Sequence, residues 1–423
     1  MKKYFTLTKS IDWKNIITSV KPEIYSLLDS NNGSFVFAWN NETELIQVKF
    51  DSYKLKLFES KNKTKYIFGY VGYDAKNSYY KFNKSNKSNK SNKGNYNNLP
   101  ESILFIPEHT IINKNGHYLY YGLEENVNTL LKFENLNSHI HKKTKVLPQI
   151  YCATEKVKYL KNVNSIKKLI QNGDIYELNY CINFHNSNCE LDIINTFLNL
   201  KEKTKAPFSG IFKYHESHIV SASPERFFNK HGNNLMSQPI KGTAARGNNA
   251  AKDELIKSNL KNDTKELAEN IMIVDLVRND FSRFSNKNSV KVTELCELYS
   301  FKNVHQLIST VESKIDHKVT FQDILNNTFP MGSMTGAPKL NAIQFIDKYE
   351  DFSRNCYSGS LGFISPSNNM DFNVVIRSII YNSNSKKISI GVGGAITNKS
   401  VPLKEYIECI LKLNSIRDSI RIH

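Results

Sequence analysis

From Phe227 to Ser237 apolar and polar residues alternate around His231-Gly232-Asn233-Asn234, a period of two with a turn that predicts a β-hairpin. The hairpin is flanked by Ser223-Pro224-Glu225-Arg226-Phe227 and Pro239-Ile240-Lys241-Gly242-Thr243. Glu225 and Lys241 are therefore expected on neighbouring strands. A lysine attacks carbon only when deprotonated, which calls for an apolar site that lowers its pKa from about 10.4. An ordinary hairpin with a surface lysine and a strand-end ion pair is the plainer reading of these two residues alone.

The other strand-like runs place this hairpin in a larger assembly. Ser34 to Trp39, Tyr66 to Asp74, Ser102 to Pro107 and the hairpin Ile111 to Tyr121 are rich in β-branched and aromatic residues. Further strands are expected over Asp174 to Tyr180, Ser209 to Tyr214, His218 to Ala222, Ser289 to Phe301 and Val304 to Ile315. Three more cover Gly359 to Ile364, Met370 to Tyr381 and Lys387 to Ile396. Helical spacing marks Lys158 to Asn172, Asp192 to Lys201, Thr264 to Phe284, Phe321 to Phe329, Lys339 to Glu350 and Leu403 to Ile416. Strands and helices do not alternate regularly, so the fold class is antiparallel α+β. The 423 residues allow two or three domains, and the pattern divides into an N-terminal α+β region over 1–150 and a second region over 151–423.

The net charge of +17 raises nucleic-acid binding as an alternative. Lys81, Lys84, Lys87, Lys90 and Lys93, however, lie in one Asn-Lys-Ser tract over 81–98, which has nothing apolar to bury and is expected to be a disordered loop. No nucleic-acid partner is expected. No apolar run approaches the ~18 residues of a membrane span, so a soluble cytoplasmic protein without a membrane partner is expected. The six cysteines are scattered without a C-x-x-C pair, as reduced core residues would be.

Four features bear on chemistry. Glu405 and Glu408 share a face of the last helix, and with Glu269 of the long helix they would suit Mg²⁺, a hard cation that takes oxygen ligands. A solvated helix face explains them as well. The turn Gly332 to Lys339 offers Thr335 as an N-cap, Pro338 in the first helical turn and free N–H groups for an anion, or simply a helix start. Arg377, inside the apolar strand segment Val374 to Ser378, suits a carboxylate of a substrate or of a structural pair. Gly391-Val392-Gly393-Gly394 allows close approach of backbone to a ligand.

Together these segments resemble the chorismate-utilising enzymes, and among them component I of the aminodeoxychorismate synthases. The resemblance runs from about Ser165 to Asn414 through Gly173-Asp174-Ile175-Tyr176, Pro224-Glu225-Arg226, Pro239-Ile240-Lys241-Gly242-Thr243, Ala268-Glu269-Asn270, Gly332 to Lys339 and Glu405-Tyr406-Ile407-Glu408. It implies a large antiparallel β-sandwich core with helices packed outside, like that of anthranilate synthase component I. It implies conversion of chorismate and ammonia to 4-amino-4-deoxychorismate, on the way to p-aminobenzoate and folate. Lys241 would attack ring carbon C2 and Glu225 would protonate the departing C4 hydroxyl. Mg²⁺ on Glu269, Glu405 and Glu408 would anchor the ring carboxylate. Arg377, Tyr357, Gly393 and Gly394 would hold the enolpyruvyl carboxylate, with Thr243, Thr335, Gly336 and Lys339 also at the substrate. Anthranilate synthases typically carry alanine at the position of Lys241, so anthranilate synthase component I is the alternative enzyme. Glu177, where many relatives have Gln, counts against isochorismate synthases, which place a lysine there. Gln306 and Lys399 replace a usual His and Asp. With no glutaminase elbow in the chain, the resemblance implies a separate glutamine amidotransferase subunit as ammonia source and a downstream lyase.

Overall fold

The computed structural model describes residues 2–41, 52–80, 94, 99–133 and 149–422. The tract 81–98 thus lies outside the described residues except for Gly94 and is not discussed further.

The strand-rich composition resolves into two antiparallel sheets, of twelve and nine strands among the described residues. In the larger one Ile24–Asp29 pairs with Phe208–Tyr214, which leads through Ser217–Ser223 and Ser378–Asn382 to Lys387–Ile396 and Glu177–Asn186. In the smaller one Ile240–Ala245 and Asn234–Gln238 both pair with Val304–Lys314, and Arg226–His231 continues to Met370–Val374, Ser360–Ile364 and Ile67–Val71. Both sheets therefore combine strands from either side of residue 150. The apolar faces are dry: Tyr180, Phe197, Ile211 and Ile390 in one core cluster and Leu235, Phe321, Phe372 and Val374 in another are essentially without solvent contact. At roughly 1.5–3 kcal/mol per fully buried large apolar side chain, these faces are the main source of stability.

Helices pack outside, over Lys156–Gln171, Ile193–Thr204, Thr264–Ser282, Phe321–Thr328, Lys339–Tyr349 and Pro402–Arg417, close to the expected spans. Helices over Ser52–Lys61 and Ala250–Lys261 were not foreseen, because their polar faces mask the apolar period. No helix among the described residues is long and apolar enough to cross a membrane. All six cysteines are free thiols.

Two local expectations need correction. The run Met370 to Tyr381 breaks into Met370–Val374 and Ser378–Asn382, and Arg377 lies in the break with φ 52° rather than within a strand. The helix after the Gly-rich turn starts at Lys339 with Pro338 as its N-cap residue. Thr335 does not cap it: the fully buried hydroxyl donates instead to the Met331 and Gly332 carbonyls.

One buried arginine ties the larger sheet to that turn. Arg354 pairs with Glu350 at 2.6 Å, stacks on Tyr73 at 4.5 Å, and donates to the Met334 and Asn179 carbonyls. Breaking a buried pair by removing one partner strands the other charge. Arg354→Met is expected to lower stability by about 3–5 kcal/mol, read as a fall in the urea midpoint at constant m-value; a midpoint shift equivalent to under about 1 kcal/mol would rule out that role.

Candidate active site

Lys241 owes its direction to a bulge. Its strand pairs with Val304–Lys314, with Lys241 opposite Leu307, and the register slips between Lys241 and Thr243. Gly242, between them, has φ 82°, and a Cβ there would come within 3.2–3.3 Å of Leu307, Glu266 and Leu260. Only glycine meets both demands easily, and the bulge turns the strand at this point. Lys241 lies on the wall of a cavity of about 240 Å³. Glu225, just before Arg226–His231, lines the same cavity, so the hairpin does bring the two residues together.

The setting of Lys241 differs from the apolar one expected. Its Nζ donates to Glu177 Oε1 at 2.9 Å, and Glu177 is fully buried. Burial pushes the lysine pKa down, but Glu177, Glu269 and Glu225 together outweigh it and hold the group above its usual value. The resting side chain is therefore an ammonium. Sequence proximity gives no hint of this, since the two residues are 64 positions apart.

Glu225 is the opposite case. Burial raises its carboxyl to about 7, against the smaller opposing effects of the Ser333 hydroxyl and Lys241. A carboxyl that keeps its proton near neutrality is suited to act as an acid.

The acidic set reaches one cavity, but among the described residues no three of its members stand close enough to hold one ion. Glu269 from Thr264–Ser282 and Glu405 and Glu408 from Pro402–Arg417 line the cavity. Burial raises Glu269 to about 7, moderated by Lys241 and Lys265. Two lysines that sequence reasoning missed share this cluster: Lys265 lies 3.5 Å from Glu269 and 3.3 Å from Glu405, and Lys412 lies 2.7 Å from Glu408. The i,i+4 spacing of Lys265 to Glu269 and of Glu408 to Lys412 was the available signal.

The opposite wall comes from the break that holds Arg377. The side chain is half-buried, donates to the Ser415 hydroxyl at 2.8 Å, and makes no ion pair with any described residue. Burial lowers its pKa, with Tyr357 and Glu408 acting against the shift. A guanidinium lining a cavity without an ion-pair partner among the described residues is suited to an anion. The glycines of Lys387–Ile396 make room: a Cβ on Gly391 would meet the Tyr357 ring at 2.5 Å, and one on Gly393 would meet Cys181 Sγ at 2.4 Å. Gly394 faces Glu405 and Glu408.

Thr243, Tyr357, Arg377, Gly393 and Gly394 thus share the cavity, whereas Thr335, Gly336 and Lys339 do not reach it. Gly336 pairs with Leu178, and a Cβ on it would lie 2.2 Å from the Glu177 carbonyl. Lys339 is buried against Asp280 at 2.6 Å and donates to the Thr328 carbonyl. The Gly-rich turn packs inward to support Glu177, and only Ser333 and Met334 of it face the cavity.

A family model described as chorismate binding enzyme matches residues 4–418. The chloroplastic aminodeoxychorismate synthase of Arabidopsis thaliana is 38% identical over 267 residues, 62% of this chain and 29% of that protein. Aminodeoxychorismate synthase component 1 of Escherichia coli strain K12 is 36% identical over 258 residues, 61% of this chain and 56% of that one. The chain thus spans about half or less of the length of these curated relatives. Among solved structures, the menaquinone-specific isochorismate synthase of Escherichia coli superposes with TM-score 0.79 at 15% identity, covering 100% of this chain and 94% of that one. Anthranilate synthase component I of Streptococcus pneumoniae gives TM-score 0.76 at 23% identity over 98% and 92%. These two confirm the α+β fold.

The bulge generates a direct test. Gly242→Ala should cost about 1–3 kcal/mol, the usual penalty of forcing a side chain into a left-handed backbone conformation. Urea unfolding reads it out, and stability equal to that of the unsubstituted chain would show that the bulge tolerates a side chain.

Proposed function

The chain belongs to the chorismate-binding enzyme family, and from that premise we propose that it converts chorismate and ammonia to 4-amino-4-deoxychorismate. The observation that carries this reading is Lys241 in the cavity wall beside Glu225. The relatives named aminodeoxychorismate synthase support it.

The residues divide the work as follows. Arg377, with Tyr357 beside it, receives the enolpyruvyl carboxylate, since a planar guanidinium suits a carboxylate and the one here has no ion-pair partner. Thr243, Gly393 and Gly394 shape the cavity around the ring. Lys241 attacks C2, the two ring double bonds shift, and the C4–O bond breaks as Glu225 gives its proton to the departing hydroxyl. Ammonia then adds at C4, and the double bonds shift back as the lysine nitrogen leaves C2. Splitting one difficult displacement into two is the advantage of a covalent route.

Glu269, Glu405 and Glu408 are the residues suited to Mg²⁺. Their all-oxygen chemistry fits a hard cation, and Glu269 Oε1 is buried without a hydrogen-bond partner. Among the described residues no three acidic groups yet stand close enough to hold one ion, and Lys265 lies between two of these three. When bound, the ion supplies positive charge for the ring carboxylate. A glutamine amidotransferase subunit would supply ammonia, and a lyase would consume the product toward p-aminobenzoate, both in the cytoplasm.

The decisive assay incubates the protein with chorismate, Mg²⁺ and ammonium, then adds an aminodeoxychorismate lyase. Release of p-aminobenzoate only after the lyase is expected; anthranilate fluorescence would instead identify an anthranilate synthase. Lys241→Ala should lose most of the activity, and an unchanged rate in that variant would eliminate the covalent route. Because Glu225 must enter protonated, kcat/KM should decline as pH rises through about 7; a profile flat across that range would exclude Glu225 as the acid. Lys265→Gln removes a cation from beside two of the proposed ligands and should tighten Mg²⁺ binding about tenfold by calorimetry. Unchanged or weaker binding would place the ion elsewhere.

A further inference from the structure

The proposed nucleophile rests as an ammonium, and an ammonium has no lone pair with which to attack. Some group must take its proton, and the groups facing it are few. Glu177 comes from Glu177–Asn186, Glu225 precedes Arg226–His231, Glu266 and Glu269 come from Thr264–Ser282 with Lys265 beside them, and Glu408 comes from the last helix. Glu225 is committed to the leaving hydroxyl and must start protonated. Glu269 and Glu408 belong to the cluster suited to a cation, and Glu408 is tied to Lys412. Among the described residues only Glu177 holds a hydrogen bond from the lysine nitrogen, at 2.9 Å.

The position of Glu177 is unusual in two further respects. It is fully buried and is not among the residues that line the cavity, although it is bonded to Lys241, which is. Its second oxygen, Oε2, is buried with no hydrogen-bond partner among the described residues. A structural ion pair would be expected to satisfy both oxygens, because an unpartnered oxygen of a buried carboxylate is costly. That cost falls once the carboxylate becomes a neutral carboxyl.

We propose that Glu177 is the proton acceptor for Lys241, taking the ammonium proton as the lysine attacks C2 and returning it when the lysine is released. This rests on the aminating reading above and assigns a residue to a step that reading leaves open. The protons balance. Lys241 passes one proton to Glu177 and forms the N–C2 bond as a secondary ammonium, while Glu225 gives its proton to the C4 hydroxyl, which leaves as water. Ammonia adds at C4 as an ammonium, and lysine leaves C2 as a neutral amine. That amine recovers its proton from Glu177, and the new C4 ammonium reprotonates Glu225. Transfer converts two opposite buried charges into two neutral groups, which becomes more favourable as bound substrate displaces water from the cavity.

The experiment uses the full chain with Glu177→Gln, which keeps the size of the side chain and cannot accept a proton, and Glu177→Asp, which can. Intact-protein mass after mixing with chorismate without ammonium measures the adduct. Steady-state rates with ammonium are followed from about pH 6 to about 10, through the lysine range. The expected result is a Glu177→Gln kcat about 100-fold lower near neutrality, with equally slow adduct formation and KM for chorismate little changed. The deficit relative to the unsubstituted enzyme at the same pH should narrow as pH rises, since loss of the Glu225 proton lowers both alike, and Glu177→Asp should keep part of the rate at neutral pH. A Glu177→Gln enzyme with the unsubstituted pH profile and kcat would overturn the proposal, as would a change confined to KM. Should Glu177→Gln not fold, Glu177→Asp decides alone: a KM effect without any change of kcat or pH profile counts against proton transfer. If the unsubstituted protein forms neither adduct nor product at any pH, the aminating reading itself falls, a result that does not depend on either variant.

Discussion

An excess of buried negative charge governs this site. Glu225, Glu266 and Glu269 line one small cavity with Glu177 bonded to its Lys241, and burial lifts Glu225 and Glu269 to about 7. Carboxylates in such number repel one another unless protons or cations intervene. Lys241, Lys265 and Lys412 are the cations that intervene, each held against a particular carboxylate. The ionisation of these groups is thereby linked, and the cavity is already balanced between opposite charges.

The division of labour follows from where each group sits. Glu225 hydrogen-bonds to Ser333 and borders the cavity, so it can meet a substrate oxygen. Glu177 is absent from the cavity lining and accepts a hydrogen bond from the lysine nitrogen. In the proposed reaction the two carboxyls serve different atoms, with their roles set by position rather than by chemical type.

Much of this was legible in the sequence. The alternation around His231-Gly232 fixed the hairpin, and the long amphipathic run fixed the helix that carries Glu269. The motifs brought Lys241, Glu225, Glu405 and Glu408 to one cavity. What was not legible depends on contacts between distant segments. The apolar setting expected for Lys241 is undone by Glu177, on a strand of the other sheet. Lys265 meets Glu405 from 140 positions away. Thr335 looked like a helix cap because its type and spacing suit one, yet the turn is pressed against Glu177–Asn186 and its hydroxyl satisfies carbonyls of its own loop. Arg377 sat in an apolar run that reads as continuous strand, and no local signal announces the left-handed residue that interrupts it.

The shared sheets have a bearing on how the polypeptide can be divided. Ile24–Asp29 lies hydrogen-bonded to Phe208–Tyr214, and Ile67–Val71 to Ser360–Ile364. Severing the chain near residue 150 would leave each fragment with long bare strand margins, open to adhesion with other copies. Separately produced fragments should therefore be sticky and poorly behaved alone, and should regain a native-like state only when allowed to associate.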